Sequence, residues 1–90
     1  MFDVVYTKKA RKDLRTIDLK ISQKIIEKVF HYSQQKNPLK FAKKLKGSIL
    51  GDYRFRIGNY RVIFDVDKKG NIKILLILSV KHRREVYRNM

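Results

Sequence analysis

Three arginines lie close together in the run Tyr53-Arg54-Phe55-Arg56-Ile57-Gly58-Asn59-Tyr60-Arg61, and a second basic group, Lys81, His82, Arg83 and Arg84, stands near the end with Tyr87. Arginine presents a planar fork of N–H donors that matches the oxygens of a phosphate, so the pattern reads as a phosphate clamp. Nothing around it suggests other machinery. No pair of carboxylates accompanies the arginines, and the sequence has no Ser-His-Asp pattern, metal-binding motif or glycine-rich phosphate loop. These side chains suit the cleavage of a phosphodiester in RNA, where the substrate's own 2′-hydroxyl is the nucleophile. The protein then has only to align that hydroxyl, stabilise the pentacovalent phosphate and move protons. Histidine ordinarily titrates near neutrality, which makes His82 the natural proton carrier. Each of these residues also has an ordinary alternative: solvated arginines on a half-exposed sheet, partly neutralised by Asp65, a surface histidine, and a core tyrosine.

The elements that must position these groups can be read from periodicity. Residues 2–6 are β-branched and aromatic and predict a strand. Thr7 is placed to cap a helix whose apolar positions are Ala10, Leu14 and Ile17, with Lys8, Lys9, Arg11, Lys12 and Arg15 on its outer face. Asp18 caps a second helix carrying Ile21, Ile25, Val29 and Tyr32, a stripe that Ile26 and Phe30 broaden; Asn37-Pro38 ends it. A basic linker follows, with Lys40, Lys43, Lys44 and Lys46 before Gly47. Residues 53–57 alternate apolar and basic, Gly58-Asn59 forms a two-residue turn, and residues 60–66 return as the partner strand. This hairpin sets Arg56 opposite Arg61 with Arg54 on the same face, while Tyr53, Phe55, Val62 and Phe64 turn toward the helices. Like charges directly opposite one another are destabilising, so the cluster calls for an anionic partner. A polar turn at 67–71 leads to the apolar run 72–78, a central strand covered on both faces. Residues 79–90 form a basic tail with a short helical turn. The expected class is therefore α+β: a small, antiparallel-rich sheet packed against an N-terminal helical hairpin, in the order β-α-α-β-β-β.

Composition supports this. Ninety residues suffice for a single domain, 1–90, and a hydrophobic content of 43% excludes disorder. The 23 Lys plus Arg against 8 Asp plus Glu give a net charge of +15, an excess that points first to nucleic acid, then to a membrane surface or an acidic protein segment. Without cysteine, disulfides and thiolate metal sites are excluded, and with only two histidines no metal or cofactor is expected. Neither a signal segment nor an apolar run of membrane-spanning length is present, so the expected location is the cytoplasm.

These residues, in this order, resemble the RelE/ParE superfamily of toxins, and specifically its RelE-type messenger-RNA interferases. The resemblance spans nearly the whole chain. It rests on Tyr6-Thr7-Lys8-Lys9-Ala10 with Asp13-Leu14, on Lys44-Leu45-Lys46-Gly47, on the hairpin from Tyr53 to Val62, and on His82-Arg83-Arg84-Glu85-Val86-Tyr87. It implies the toxin of a type II toxin–antitoxin system: a ribosome-dependent, metal-independent endoribonuclease that cuts messenger RNA in the decoding site. The implied partners are the ribosome and messenger RNA, a cognate antitoxin that wraps the basic face with a helical segment, and operator DNA only through the antitoxin complex. Carried over, the family's working residues match Arg54, Arg56, Arg61, Arg83 (or Lys81) and Tyr87, with Lys43, Lys44, Lys46, Lys81 and Arg84 as further RNA contacts. RelE itself has lysines where this chain has Arg54 and Arg56. Arginine cannot serve as a base, so proton transfer is expected to fall to His82 assisted by Tyr87. Two other readings share the fold: a ParE-type toxin that inhibits DNA gyrase without catalytic residues, and a basic RNA-binding domain without activity.

Overall fold

In a computed structural model, the protein is described over residues 1–45 and 51–88, with side chains through Val86. The chain runs β1 (Asp3–Tyr6), α1 (Lys8–Arg15), α2 (Leu19–Ser33), a 3₁₀ turn (Pro38–Phe41), β2 (Ala42–Lys44), β3 (Tyr53–Ile57), β4 (Tyr60–Lys69), β5 (Ile72–His82) and α3 (Arg83–Arg88). The five strands form one sheet in the order β1-β5-β4-β3-β2, with β1 parallel to β5 and all other neighbours antiparallel.

Both expected helix caps form. Thr7 Oγ1 accepts from the Ala10 amide at 3.1 Å, and the Asp18 carboxylate accepts from the Lys20 amide at 3.0 Å, each satisfying an amide that the first helical turn leaves without a partner. Ala10, Leu14, Ile25 and Val29 bury against Phe55, Val62, Phe64, Leu75, Ile77 and Val80 of the sheet. An aromatic row runs through this core: Tyr32 stacks on Phe41 at 4.8 Å and packs on Phe55 at 4.7 Å, and Phe55 stacks on Phe64 at 4.3 Å.

Several expectations need correction. The stretch read as a linker contains the 3₁₀ turn, which Pro38 opens with its fixed φ, and the edge strand β2, whose Ala42, Lys43 and Lys44 pair with Phe55, Arg54 and Tyr53. Strand β4 continues to Lys69 and β5 begins at Ile72, so the turn there is Gly70-Asn71 rather than 67–71. Strand β5 is interior but covered on one face: Leu75 and Ile77 are buried, whereas Ile74, Leu76 and Leu78 on the other face are only half-buried. The residues from Ser79 to His82 belong to β5, and the helical part of the tail begins at Arg83. On α2, Ile26 and Phe30 do not broaden the buried stripe but stand 43% and 61% exposed. The helix has room for one apolar row against the sheet, and Ile25 and Val29 occupy it.

One irregularity in the sheet matters for everything on its open face. Ile63 pairs with Ser79 but Phe64 pairs with Ile77, so Leu78 is an extra residue, a β-bulge. The groups the bulge would strand are taken up by α1 and its cap: Thr7 Oγ1 donates to the Leu78 carbonyl at 3.1 Å, and the Val80 amide donates to Asp13 at 3.0 Å. Beyond Tyr6 there is no β1 residue to receive that amide, because β1 ends opposite Ile77. Asp13→Ala is therefore expected to lower stability by about 1–3 kcal/mol by leaving the amide unpaired, a loss measurable as a lower urea midpoint with an unchanged slope.

Candidate active site

Hairpin β3–β4 has the expected register, with Ile57 opposite Tyr60 and Arg56 directly opposite Arg61. Gly58 holds φ +58° at the first loop position, the left-handed conformation that a tight hairpin turn requires and that glycine adopts without steric cost. Across the open face, two rows of paired residues result: Arg56, Arg61 and Lys81, and beside it Lys43, Arg54, Ile63 and Ser79. Lys40, Phe41, Ala42, Lys43, Arg54, Arg56 and Arg61 line a groove of about 240 Å³ along the β2 edge.

The arginines are not equivalent. Arg56 is exposed, Arg54 half-buried, and Arg61 only 1% exposed, so the open three-arginine face expected from the sequence is instead a groove with a buried floor. The same face, opposite the helical hairpin, also carries a small second core of Leu45, Ile63 and Val86. Gly51 lies so close to it that an added Cβ would meet Ile63 Cγ2 at 2.7 Å and Leu78 Cδ1 at 2.9 Å. Arg61 Nη1 donates to the carbonyls of Gly58 at 2.9 Å and Tyr60 at 3.0 Å, tying the guanidinium to the hairpin loop. Its buried Nε has no hydrogen-bond partner among the described residues. A buried, unpaired N–H on a cation is costly, and an anionic oxygen entering the groove would satisfy it. Asp65, the acid expected to temper the cluster, instead accepts from the Asp52 amide at 2.7 Å and holds the loop before β3.

The bulge decides which tail residues join the groove. Because Leu78 is extra, alternation along β5 shifts by one, and Lys81 falls on the arginine face while Val80 and His82 turn to the helix side. Lys81 sits beside Arg61, with Nζ 3.9 Å from Glu85 Oε2. His82 packs edge-on against the Tyr60 ring at 5.4 Å, and its Nδ1 accepts from the Arg84 amide at 3.3 Å. His82 and the arginine cluster are thus on opposite faces. Arg83 and Arg84 are exposed in the first turn of α3. Lys43 joins the groove, whereas Lys44, paired with Tyr53, belongs to the other face. Lys46, Gly47 and the Tyr87 side chain lie outside the described residues. Sequence reading missed Lys40 and Phe41, which Pro38 could have signalled by starting a turn that aims both at β3. Tyr6, on β1, is no substitute proton carrier: burial pushes its phenol up to about 12. The described residues contain no group of three metal-ligating side chains.

The model of the ParE toxin of type II toxin–antitoxin systems matches residues 4–87. The chain belongs to the RelE/ParE toxin family. Toxin RelG of Mycobacterium tuberculosis is 30% identical over 87 residues, covering 97% of each chain. Among solved structures, the toxin–antitoxin complex RelBE2 of M. tuberculosis is similar with a TM-score of 0.76 at 30% identity, over 91% of this chain and 98% of that one. The RelB–RelE complex of Methanococcus jannaschii is similar with a TM-score of 0.60 at 30% identity, over 96% and 98%. The protein is accordingly the toxin of a type II toxin–antitoxin system, with the mixed α+β architecture of RelE-like toxins. No helix of the toxin among the described residues is long and apolar enough to cross a membrane.

Proposed function

We propose that this toxin is a ribosome-dependent endoribonuclease that cleaves messenger RNA in the decoding site without a metal ion. The observation that carries the reading is the groove itself: exposed Arg56 directly faces buried Arg61, whose Nε has no hydrogen-bond partner among the described residues and can donate to a phosphate oxygen. Arg54 and Arg56 hold the scissile phosphate, and Arg61 stabilises the charge that builds on it in the pentacovalent transition state. The 2′-hydroxyl gives up its proton to solvent water as its oxygen attacks phosphorus, the bond to the 5′-oxygen breaks, and that oxygen takes up a proton, leaving a 2′,3′-cyclic phosphate and a 5′-hydroxyl. Lys81, beside Arg61, carries an ammonium that can give the leaving oxygen its proton, and Arg83 and Tyr87 of α3 assist. Identifying the ends tests this chemistry: cyclic phosphate on the upstream fragment, unaffected by chelators, agrees with it, and a 5′-phosphate on the downstream fragment would refute it.

The relatives solved as toxin–antitoxin complexes support a cognate antitoxin as partner, and a net charge of +15 suits an acidic antitoxin segment over the groove. Contact with operator DNA would come only through that complex, and the site of action is the cytoplasm. A second reading, inhibition of DNA gyrase, is favoured by one observation: the family model that matches is named for ParE. Salt dependence tests the groove independently of chemistry. Single-stranded RNA binding should weaken with salt at a log–log slope of about −3, and Lys43→Ala should reduce it by about 0.7, whereas Lys44→Ala on the opposite face should change it less.

A further inference from the structure

We propose that His82 is a positioning residue that caps α3 and so sets the C-terminal helix on the arginine face of the sheet, beside the groove, an inference that rests on the nuclease reading for its effect on cleavage. The last β5 residue immediately precedes α3, and its Nδ1 accepts from the second amide of that helix, Arg84, at 3.3 Å. A side-chain acceptor in that place satisfies an N–H that the first turn leaves without a partner, the service usually given by Ser, Thr, Asp or Asn. Imidazole adds a second contact, edge-on to Tyr60 at 5.4 Å, which anchors the cap to β4. The neighbouring anchors point the same way. The Arg83 amide donates to the Asn59 carbonyl at 2.8 Å, tying the helix start to the hairpin loop, and Lys81 reaches Glu85 at 3.9 Å across the first turn. Val86 then buries against Ile63 and Leu45 on the groove side of the sheet. His82 therefore works from the helix side of the sheet on a helix that folds over the other side, and it acts through α3 without touching the reacting phosphate.

Asparagine separates the two roles open to His82, since it caps well but cannot carry a proton. Full-length toxin with His82→Ala should show amide exchange in α3 faster by about fivefold, the shift that a lost cap of ordinary strength produces, with cleavage on programmed ribosomes reduced in parallel. His82→Asn should keep both within about twofold of wild type and leave the pH profile of cleavage unchanged. If His82→Asn loses as much cleavage as His82→Ala while α3 exchange stays at the wild-type rate in both, the imidazole moves protons and the proposal falls. Unchanged exchange in His82→Ala overturns it equally. Should wild-type toxin not cleave at all, the nuclease reading fails, and the exchange arm still decides whether His82 is a cap.

Discussion

Arg56→Ala should lower messenger cleavage about a hundredfold or more while leaving the unfolding midpoint unchanged or slightly raised. The side chain is exposed and stands directly across from Arg61, so in the free toxin it makes a like-charge pair that folding must tolerate. Its removal relieves that repulsion, and a surface substitution otherwise moves stability by no more than about 0.5 kcal/mol. Arg61→Ala should behave differently and lose both properties. Its guanidinium is buried and holds the Gly58 and Tyr60 carbonyls, so truncation leaves a gap and breaks two charge-assisted hydrogen bonds, a net cost of about 2–4 kcal/mol. Parallel measurements of cleavage rate and thermal unfolding on the two variants check this. Equal destabilisation by both would mean that Arg56 has a structural role the groove geometry does not assign.

Phe55→Ala should be the most damaging single change to the fold, costing about 3–5 kcal/mol. Phe55 is completely buried between Tyr32 and Phe64, in the strand that carries Arg54 and Arg56 on its other face. A domain of this size has only about 5–13 kcal/mol to lose. Between about a quarter and all of the stability would go, and the groove with it, because the alternation of β3 ties each arginine to the packing of its neighbours. A urea titration followed by circular dichroism should show the midpoint fall steeply; a shift under 1 kcal/mol would mean that the aromatic row is not what fixes β3.

The register of the hairpin is legible in the sequence. Period-2 alternation and Gly58-Asn59 set the Arg56–Arg61 pairing, and Thr7 and Asp18 announced their helices by residue type. What escaped were features that local pattern does not encode. Ala42-Lys43-Lys44 has weak strand propensity and forms β2 only because β3 offers an edge. The burial of Arg61 has no local signal, because alternation gives the face of a side chain and not what covers it. The bulge at Leu78 leaves no signature in an unbroken apolar run, yet it reverses which of Lys81 and His82 faces the arginines. The expectation of proton transfer by His82 rests on its residue type and on the arginines at 54 and 56; one extra residue in a strand sets the imidazole on the face opposite them.

Whether the groove cuts messenger RNA on the ribosome is decided by primer extension on a defined messenger, with translating ribosomes in one arm and naked RNA in the other. Cuts should be confined to the decoding site of the ribosome-bound messenger, absent from naked RNA and lost in Arg56→Ala. An intact messenger in both arms, with gyrase inhibited by the same preparation, would contradict the nuclease reading.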